Sequence, residues 1–475
     1  MKPTRRDILK GIGAVGATLT FTGHASASDG RAQYILTTNG NGVRRRIESA
    51  GFEVRQELAD GGVLIAFGPE SSEADLRGVN GVQRAIRDVR FRLERPAVEE
   101  LAGEEELEAP TFYEEFLWDK QVTESLEANQ IATGEGAQIA VIDTGVDYLH
   151  PDLLPNLDTD AGRLFREGEV FDGEMDDIVV GRPTEDEDLL FEIEFVEQHV
   201  ADDVQGHGTH VAGIAAASAD EGAIGTGVAG TAPDADVISH RVFWWVEDDD
   251  VPEGWSPTTT TGDVLAAIDY AAAQGYDAAN LSLGTAPLPP EANRESFVRA
   301  YRQVIQSAVQ RGTVVCASAG NAETNLQQGG LFSLPNSVQG AVSVSATAPN
   351  DELAFYSNFG TNEIDVGAPG GGYETQEKTL DPEADVEWPF PLNLVYSTTS
   401  PRVEGVPYGW KAGTSMAAPQ VAGTVALVRE LNAEMGSRAV EQAIKDGAEG
   451  ANGRSDPNLG AGRINALNTV ESIDR

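Results

Sequence analysis

The chain has 475 residues, 77 acidic and 33 basic, with a formal net charge of −44. That length allows a large core and more than one domain, and that charge repels nucleic acid and anionic membranes, so neither is expected as a partner. Lysine occurs only at Lys2, Lys10, Lys120, Lys378, Lys411 and Lys445; an acidic, lysine-poor surface fits adaptation to high salt, where a Debye length of about 3 Å at 1 M screens self-repulsion, the alternative being an ordinary acidic secreted protein.

The chain opens with a twin arginine, Arg5–Arg6, a short glycine-containing apolar run and Ala25-Ser26-Ala27. This pattern resembles a twin-arginine export signal over 1–27 with an A-x-A cleavage site. The run is too short for a convincing membrane span, so secretion without stable membrane anchoring is expected. Residues 28–110 read as a small separate unit. Strands are expected at QYILTT, GGVLIAFG and AIRDVRFRLE, and helices at VRRRIESAGF and SEADLRGV. That order suggests an α+β unit of split β-α-β, ferredoxin-like type. The stretch VEELAGEEELEAP, with its charge and proline, reads as an exposed linker.

From residue 111 to 475 apolar strands alternate with helices. Strands are expected at AQIAVID, ADVISHRVF, DAANLSLG, GTVVCASAG, GAVSVSAT and EIDVGA, and helices at 207–218, 262–273, 294–311 and 416–432. Near-continuous apolar strands imply a mostly parallel sheet covered on both faces, an α/β fold with sites at the carboxyl ends of its strands. Two stretches, 158–204 and 371–408, interrupt the pattern and read as surface insertions. The single cysteine, Cys316, falls in the strand pattern TVVCAS and suits a core thiol; one cysteine excludes an intramolecular disulfide.

Three segments carry chemistry. Asp143 ends the buried strand of IAVIDTGVD, His207 starts a helix in GHGTHVAG, and Ser415 starts another in AGTSMAAPQVAG. A neutral serine hydroxyl needs a base, an imidazole serves near neutral pH, and a carboxylate on the other ring nitrogen fixes the tautomer. Ser415 alone, before Ala-Ala-Pro, would read as a helix cap rather than a nucleophile. VIDTGVD, GHGTHVAG and GTSMAAPQVAG resemble the three signature blocks of the subtilisin-like serine proteases, in the same Asp, His, Ser order. A fourth block, SAGN, puts Asn321 where that family has its oxyanion side-chain donor, and the resemblance spans about 111–470.

The resemblance implies a subtilisin-like three-layer α/β fold and a serine endopeptidase acting on polypeptides. It implies Ser415 as nucleophile, His207 as base then acid, Asp143 as its orienter, and Asn321 with the Ser415 amide as oxyanion hole. Ser282, Leu283 and Gly284 resemble the edge segment that pairs with substrate backbone, and Gly320 stands beside them in the substrate-binding set; a partner segment is expected somewhere in 244–261. The Leu334–Pro335 bond is expected to be cis. By position, the N-terminal unit corresponds to the family's pro-domain, a folding chaperone and inhibitor of its own chain, with cleavage falling in 97–117. Asp152 matches a calcium-ligating aspartate of many members, although SADEGAIGTGVAG departs from the loop that supplies the other ligands. A monomer without catalytic cofactor is expected. Alternatives are a narrow-specificity processing peptidase and a catalytically silent protein that keeps the fold for binding.

His210 stands three residues after His207, but no His-Glu-x-x-His is present, and a structural role is expected. Gly225-x-Gly227-x-x-Gly230 precedes a strand instead of opening a helix after one, the wrong context for a dinucleotide. A G-x-S-x-G esterase elbow is absent.

Overall fold

The computed structural model describes residues 19–24, 30–39, 42–93, 97–101, 116–180, 193–218, 227–248, 254–289, 296–450 and 456–474. Strand β1 (Leu19–His24) is followed by a βαββαβ unit: β2 (Ala32–Thr38), α1 (Val43–Ser49), β3 (Glu53–Leu58), β4 (Val63–Gly68), α2 (Glu73–Gly78) and β5 (Val82–Arg87). Its four strands form an antiparallel sheet in the order β3-β4-β2-β5. One face carries Tyr34, Leu36 and Leu64 under the two helices; the other carries Ile35, Ile65 and Phe67 into the core of the following unit. This alternation is the period-two pattern that QYILTT and VLIAFG encode.

AIRDVRFRLE is not one strand. It breaks at Asp88 into β5 and β6 (Val89–Leu93), and β6 leaves the small sheet. Asp88 is fully buried and its carboxylate accepts from Val89 N, from Gln33 Nε2 and from Gly262 N. A buried carboxylate needs such donors, and here they lie on two different units. A second correction concerns VEEL. It is strand β7 (Val98–Leu101), not exposed linker.

After the short helices α3 (Trp118–Val122) and α4 (Ser125–Ala128) come β8 (Gln138–Asp143), β9 (Arg163–Arg166), β10 (Glu169–Phe171), β11 (Glu174–Val180), β12 (Ile193–His199), α5 (His207–Ala216), β13 (Asp236–Arg241), β14 (Trp244–Glu247), β15 (Trp255–Thr260), α6 (Thr261–Gln274), β16 (Ala278–Leu281), α7 (Ser296–Arg311), β17 (Val314–Ser318), β18 (Ala341–Thr347) and β19 (Val366–Pro369). The chain ends with α8 (Gln376–Leu380), β20 (Val395–Thr398), α9 (Pro401–Glu404), β21 (Tyr408–Ala412), α10 (Thr414–Leu431), α11 (Ser437–Gly447), β22 (Glu449–Gly450), β23 (Gly462–Arg463) and α12 (Ala466–Ile473).

The main sheet runs β10-β9-β13-β8-β16-β17-β18-β19-β23-β22, parallel from β9 to β23. Along β8, Ile139 and Val141 face the core under α5 and α10, while Ala140 and Ile142 face α6 and α7. Val314 and Cys316 alternate with Val315 and Ala317 in the same way. The result is a three-layer α/β sandwich, and the small sheet packs on the α6–α7 layer.

Both expected surface insertions contribute to the interior. Within 158–204, β9 joins the main sheet with Leu164 and Phe165 buried, and Asp177 of the β11–β12 hairpin forms an ion pair with the buried Arg241. Within 371–408, Leu394, Val395 and Tyr396 lie in the core. Their acidic composition masks short apolar runs that the sheet and helices capture.

Candidate active site

Asp143 is the last residue of β8, and its Oδ1 accepts from Thr144 N at 2.7 Å and from His207 Nδ1 at 2.8 Å. His207 opens α5, and Gly206 before it has φ +99°, a conformation that disfavours any side chain. A β-carbon at Gly208 would come 2.0 Å from Gly145 O, so only glycine lets the helix start approach the strand end. Asp203 joins the two: its Oδ1 accepts from Thr144 Oγ1 and Gly206 N, and its Oδ2 accepts from Thr209 N. Sequence reasoning missed Asp203. The available signal was an aspartate a few residues before a helix start, a capping arrangement.

Ser415 stands in the first turn of α10. Pro419 lies one turn further on and has no N–H to give the Ser415 carbonyl. Ser282 Oγ supplies the missing donor to Ser415 O at 2.7 Å, and Ser415 Oγ in return donates to Ser282 O at 3.0 Å. Asn321 follows the carboxyl end of β17. Its Oδ1 accepts from Thr414 N and Thr414 Oγ1, each at 2.8 Å, which ties the carboxamide to the start of the serine helix. Thr414 Oγ1 also accepts from Gly320 N at 3.0 Å. Thr414 is a second residue whose part was not foreseen.

Asp143 Oδ2 lacks a hydrogen-bond partner among the described residues, and so do two nitrogens of this buried cluster, His207 Nε2 and Asn321 Nδ2. Burying a polar atom without a partner is costly, so both mark places where a further group can bind. Ser415 Oγ is bonded to Ser282 O and makes no hydrogen bond to His207 Nε2 in this arrangement.

The remaining expected residues are distributed as follows. Leu283 is core, and Gly284 lies against Leu334 O, where a β-carbon would stand 3.3 Å away. The Leu334–Pro335 bond is cis, as is Phe390–Pro391, which sequence reasoning did not foresee. The edge that pairs with β6 is β15, through Thr258↔Arg92 to Thr260↔Arg90. On the other side, β7 pairs antiparallel with β21, and Ala97 N donates to Ala412 O at 3.0 Å.

His210 is buried with Nε2 against Gly409 O at 3.2 Å; burial holds its basicity well below the ordinary range, with the Lys411 charge adding to the effect. Asp152 Oδ2 accepts from Val228 N and Tyr408 OH, both at 2.9 Å. Among the described residues no cluster of three histidine, cysteine, aspartate or glutamate side chains could hold a metal. Asp152 alone therefore does not fit a calcium site without ligands from 219–226, which lie outside the described residues. Cys316 is a free, buried thiol whose pKa burial pushes up. No described helix is long and apolar enough to cross a membrane.

The subtilase family model (Peptidase_S8) matches residues 134–462. A thermophilic serine proteinase of Bacillus sp. (strain AK1) is 31% identical over 365 residues, 76% of this chain and 68% of its own length. Thermitase of Thermoactinomyces vulgaris is 30% identical over 353 residues, 74% of this chain and 94% of its own. In fold, the solved structure of an epidermin leader peptide processing serine protease from Staphylococcus aureus superposes with a TM-score of 0.68 at 20% identity, over 94% of this chain and 99% of that one. A parallel sheet whose strand β8 ends in Asp143, an imidazole bonded to that residue, and a family match over most of the chain lead to one assignment: the chain belongs to the subtilase family of serine endopeptidases.

Proposed function

We propose that the chain is a secreted, salt-adapted endopeptidase that cuts polypeptides through an acyl-enzyme formed on Ser415. The observation that carries this reading is the His207 Nδ1–Asp143 Oδ1 bond at 2.8 Å, with His207 Nε2 left buried and unpartnered. Asp143 fixes the tautomer in which Nε2 is the free base. His207 Nε2 takes the Ser415 proton as Oγ attacks the scissile carbonyl. The oxyanion that forms accepts from the Ser415 N–H and from Asn321 Nδ2. His207 then protonates the departing amine, and a water repeats the sequence on the ester.

The N-terminal unit acts as inhibitor and folding aid until it is cut. Pairing of β6 with β15 and of β7 with β21 supports this, because a peptide adds to just such sheet edges. We place the cut at the start of the expected 97–117 window, since Ala97 bonds Ala412, three residues before Ser415. Export through the twin-arginine segment, a monomeric state and calcium at Asp152 complete the proposal. Calcium requires ligands from 219–226; a chelator that leaves the melting temperature unchanged removes it.

A fluorophosphonate should label the wild-type protein on Ser415 and leave Ser415→Ala unlabelled. Ser415→Ala should also keep its N-terminal unit attached. Labelling of the alanine variant at another serine, with proteolysis intact, refutes the assignment.

A further inference from the structure

Lys411 is one of six lysines in the chain, and its side chain is only 1% exposed. It lies on β21, directly opposite Glu99 of β7. Its ammonium meets Glu99 Oε1 at 2.8 Å and Glu404 Oε1 at 2.6 Å. The two carboxyl groups differ in kind. Glu404, on α9, is buried against Gly206, the residue before His207, where even a β-carbon would come 2.6 Å from Oε2. Glu99 arrives on a strand that is added to the edge of β21 from outside, and its side chain is about a third exposed (32%).

We infer that Lys411, backed by Glu404, forms a carboxylate-selecting subsite on the leaving-group side of the cleft, which Glu99 of the same chain fills. The inference rests on the protease reading above and names a substrate class for it: polypeptides with an acidic residue downstream of the cut. Direction follows from the register. Val98 stands opposite Ala412, nearest Ser415, and Leu101 opposite Gly409, so β7 runs away from the serine on the C-terminal side. Side chains alternate along a strand, so a peptide laid on β21 in this way offers one particular residue to Lys411. That residue is the second beyond the one whose N–H bonds Ala412 O.

The charge balance favours an acid there. Glu404 is fixed in a buried site: burial pushes its carboxyl up, Lys411 opposes the shift, and Glu99, when in place, adds to it. Two carboxyl groups thus bracket one ammonium, and only the Glu99 position is supplied from outside β21, so that is where Lys411 can accept another carboxylate. The charged and titratable groups around the cluster are Lys411, Glu404 and Glu99, with His210 nearby on α5.

The test uses the self-processed protein and quenched fluorescent peptides in which one Glu is walked through the five positions after the cut, with Gln elsewhere. Wild type should prefer Glu at one position by about tenfold or more in kcat/KM, the scale of a charge-assisted hydrogen bond. In Lys411→Met the Glu-to-Gln ratio at that position should fall to about one, and in Lys411→Glu it should fall below one. A flat profile in wild type, or a peak that survives Lys411→Met, overturns the inference while leaving the protease reading intact.

A second measurement needs no turnover. In the uncut full chain carrying Ser415→Ala, Glu99→Gln should speed amide hydrogen exchange in 97–101 and 408–412 by about tenfold. Equal protection overturns the subsite, whether or not any peptide is cut. Absent labelling by fluorophosphonate together with faster exchange rejects the protease reading and keeps the carboxylate pocket.

Discussion

Replacing Asn321 by Ala tests the oxyanion assignment most directly. The carboxamide is 3% exposed, and its oxygen is held by two hydrogen bonds from Thr414, each at 2.8 Å. Its nitrogen is thereby aimed at a site with no partner in the described structure. If that nitrogen meets charge only in the transition state, its loss should lower kcat and leave KM nearly unchanged. The fall known for this loss in subtilisin, roughly 10²–10³-fold or about 2.7–4 kcal/mol, sets the expected size. Stability should drop by about 1–3 kcal/mol, because the buried Thr414 N–H loses its acceptor. Thr414→Val keeps the backbone bond and removes the hydroxyl one, so it should cost on the order of tenfold in kcat by loosening the carboxamide. Steady-state kinetics on one peptide, with denaturant titration of each variant, measures both quantities. A folded Asn321→Ala protein within threefold of wild-type kcat would falsify the assignment.

Docking of the N-terminal unit should depend on pH through Asp88. Burial between Gln33 and Gly262 pushes its carboxyl up to about 8, and the neighbouring Asp263 adds to the shift. Released into water, the group returns to an ordinary value near 3.9. The docked form thus holds more protons between about pH 4 and 8, so docking weakens as pH rises through that window. Hydrogen exchange in 254–262 at pH 5 and pH 8.5 should show the difference, and Asp88→Asn should flatten it; an opposite slope refutes the linkage. With a net charge of −44, the folded chain should also be stabilised by salt. A melting temperature that fails to rise from 0.1 to 2 M KCl would end the case for salt adaptation.

Much of this fold is legible in residue order because its strands are buried on both faces. Runs such as IAVID and TVVCAS have no other stable environment, and their alternation names the core layers. The blocks around Asp143 and His207 are legible because Gly206 has a φ of +99° and Gly208 is demanded by close backbone approach to Gly145. Composition misled where charge surrounds a short apolar run. VEEL reads as linker but pairs with β21, and 158–204 reads as surface but supplies β9.

The sequence by itself determined the α/β layering, the order of the chemical blocks and the acidic surface, because each is written in local periodicity or composition. Only the tertiary structure decided that Asp88 breaks a strand to bind Gly262, that Ser282 replaces the N–H missing at Pro419, and that Lys411 lies between Glu99 and Glu404. Those partners are separated by 174, 133 and up to 312 residues. No local pattern encodes such pairs, because a hydrogen bond depends on distance in space and leaves no period in the chain.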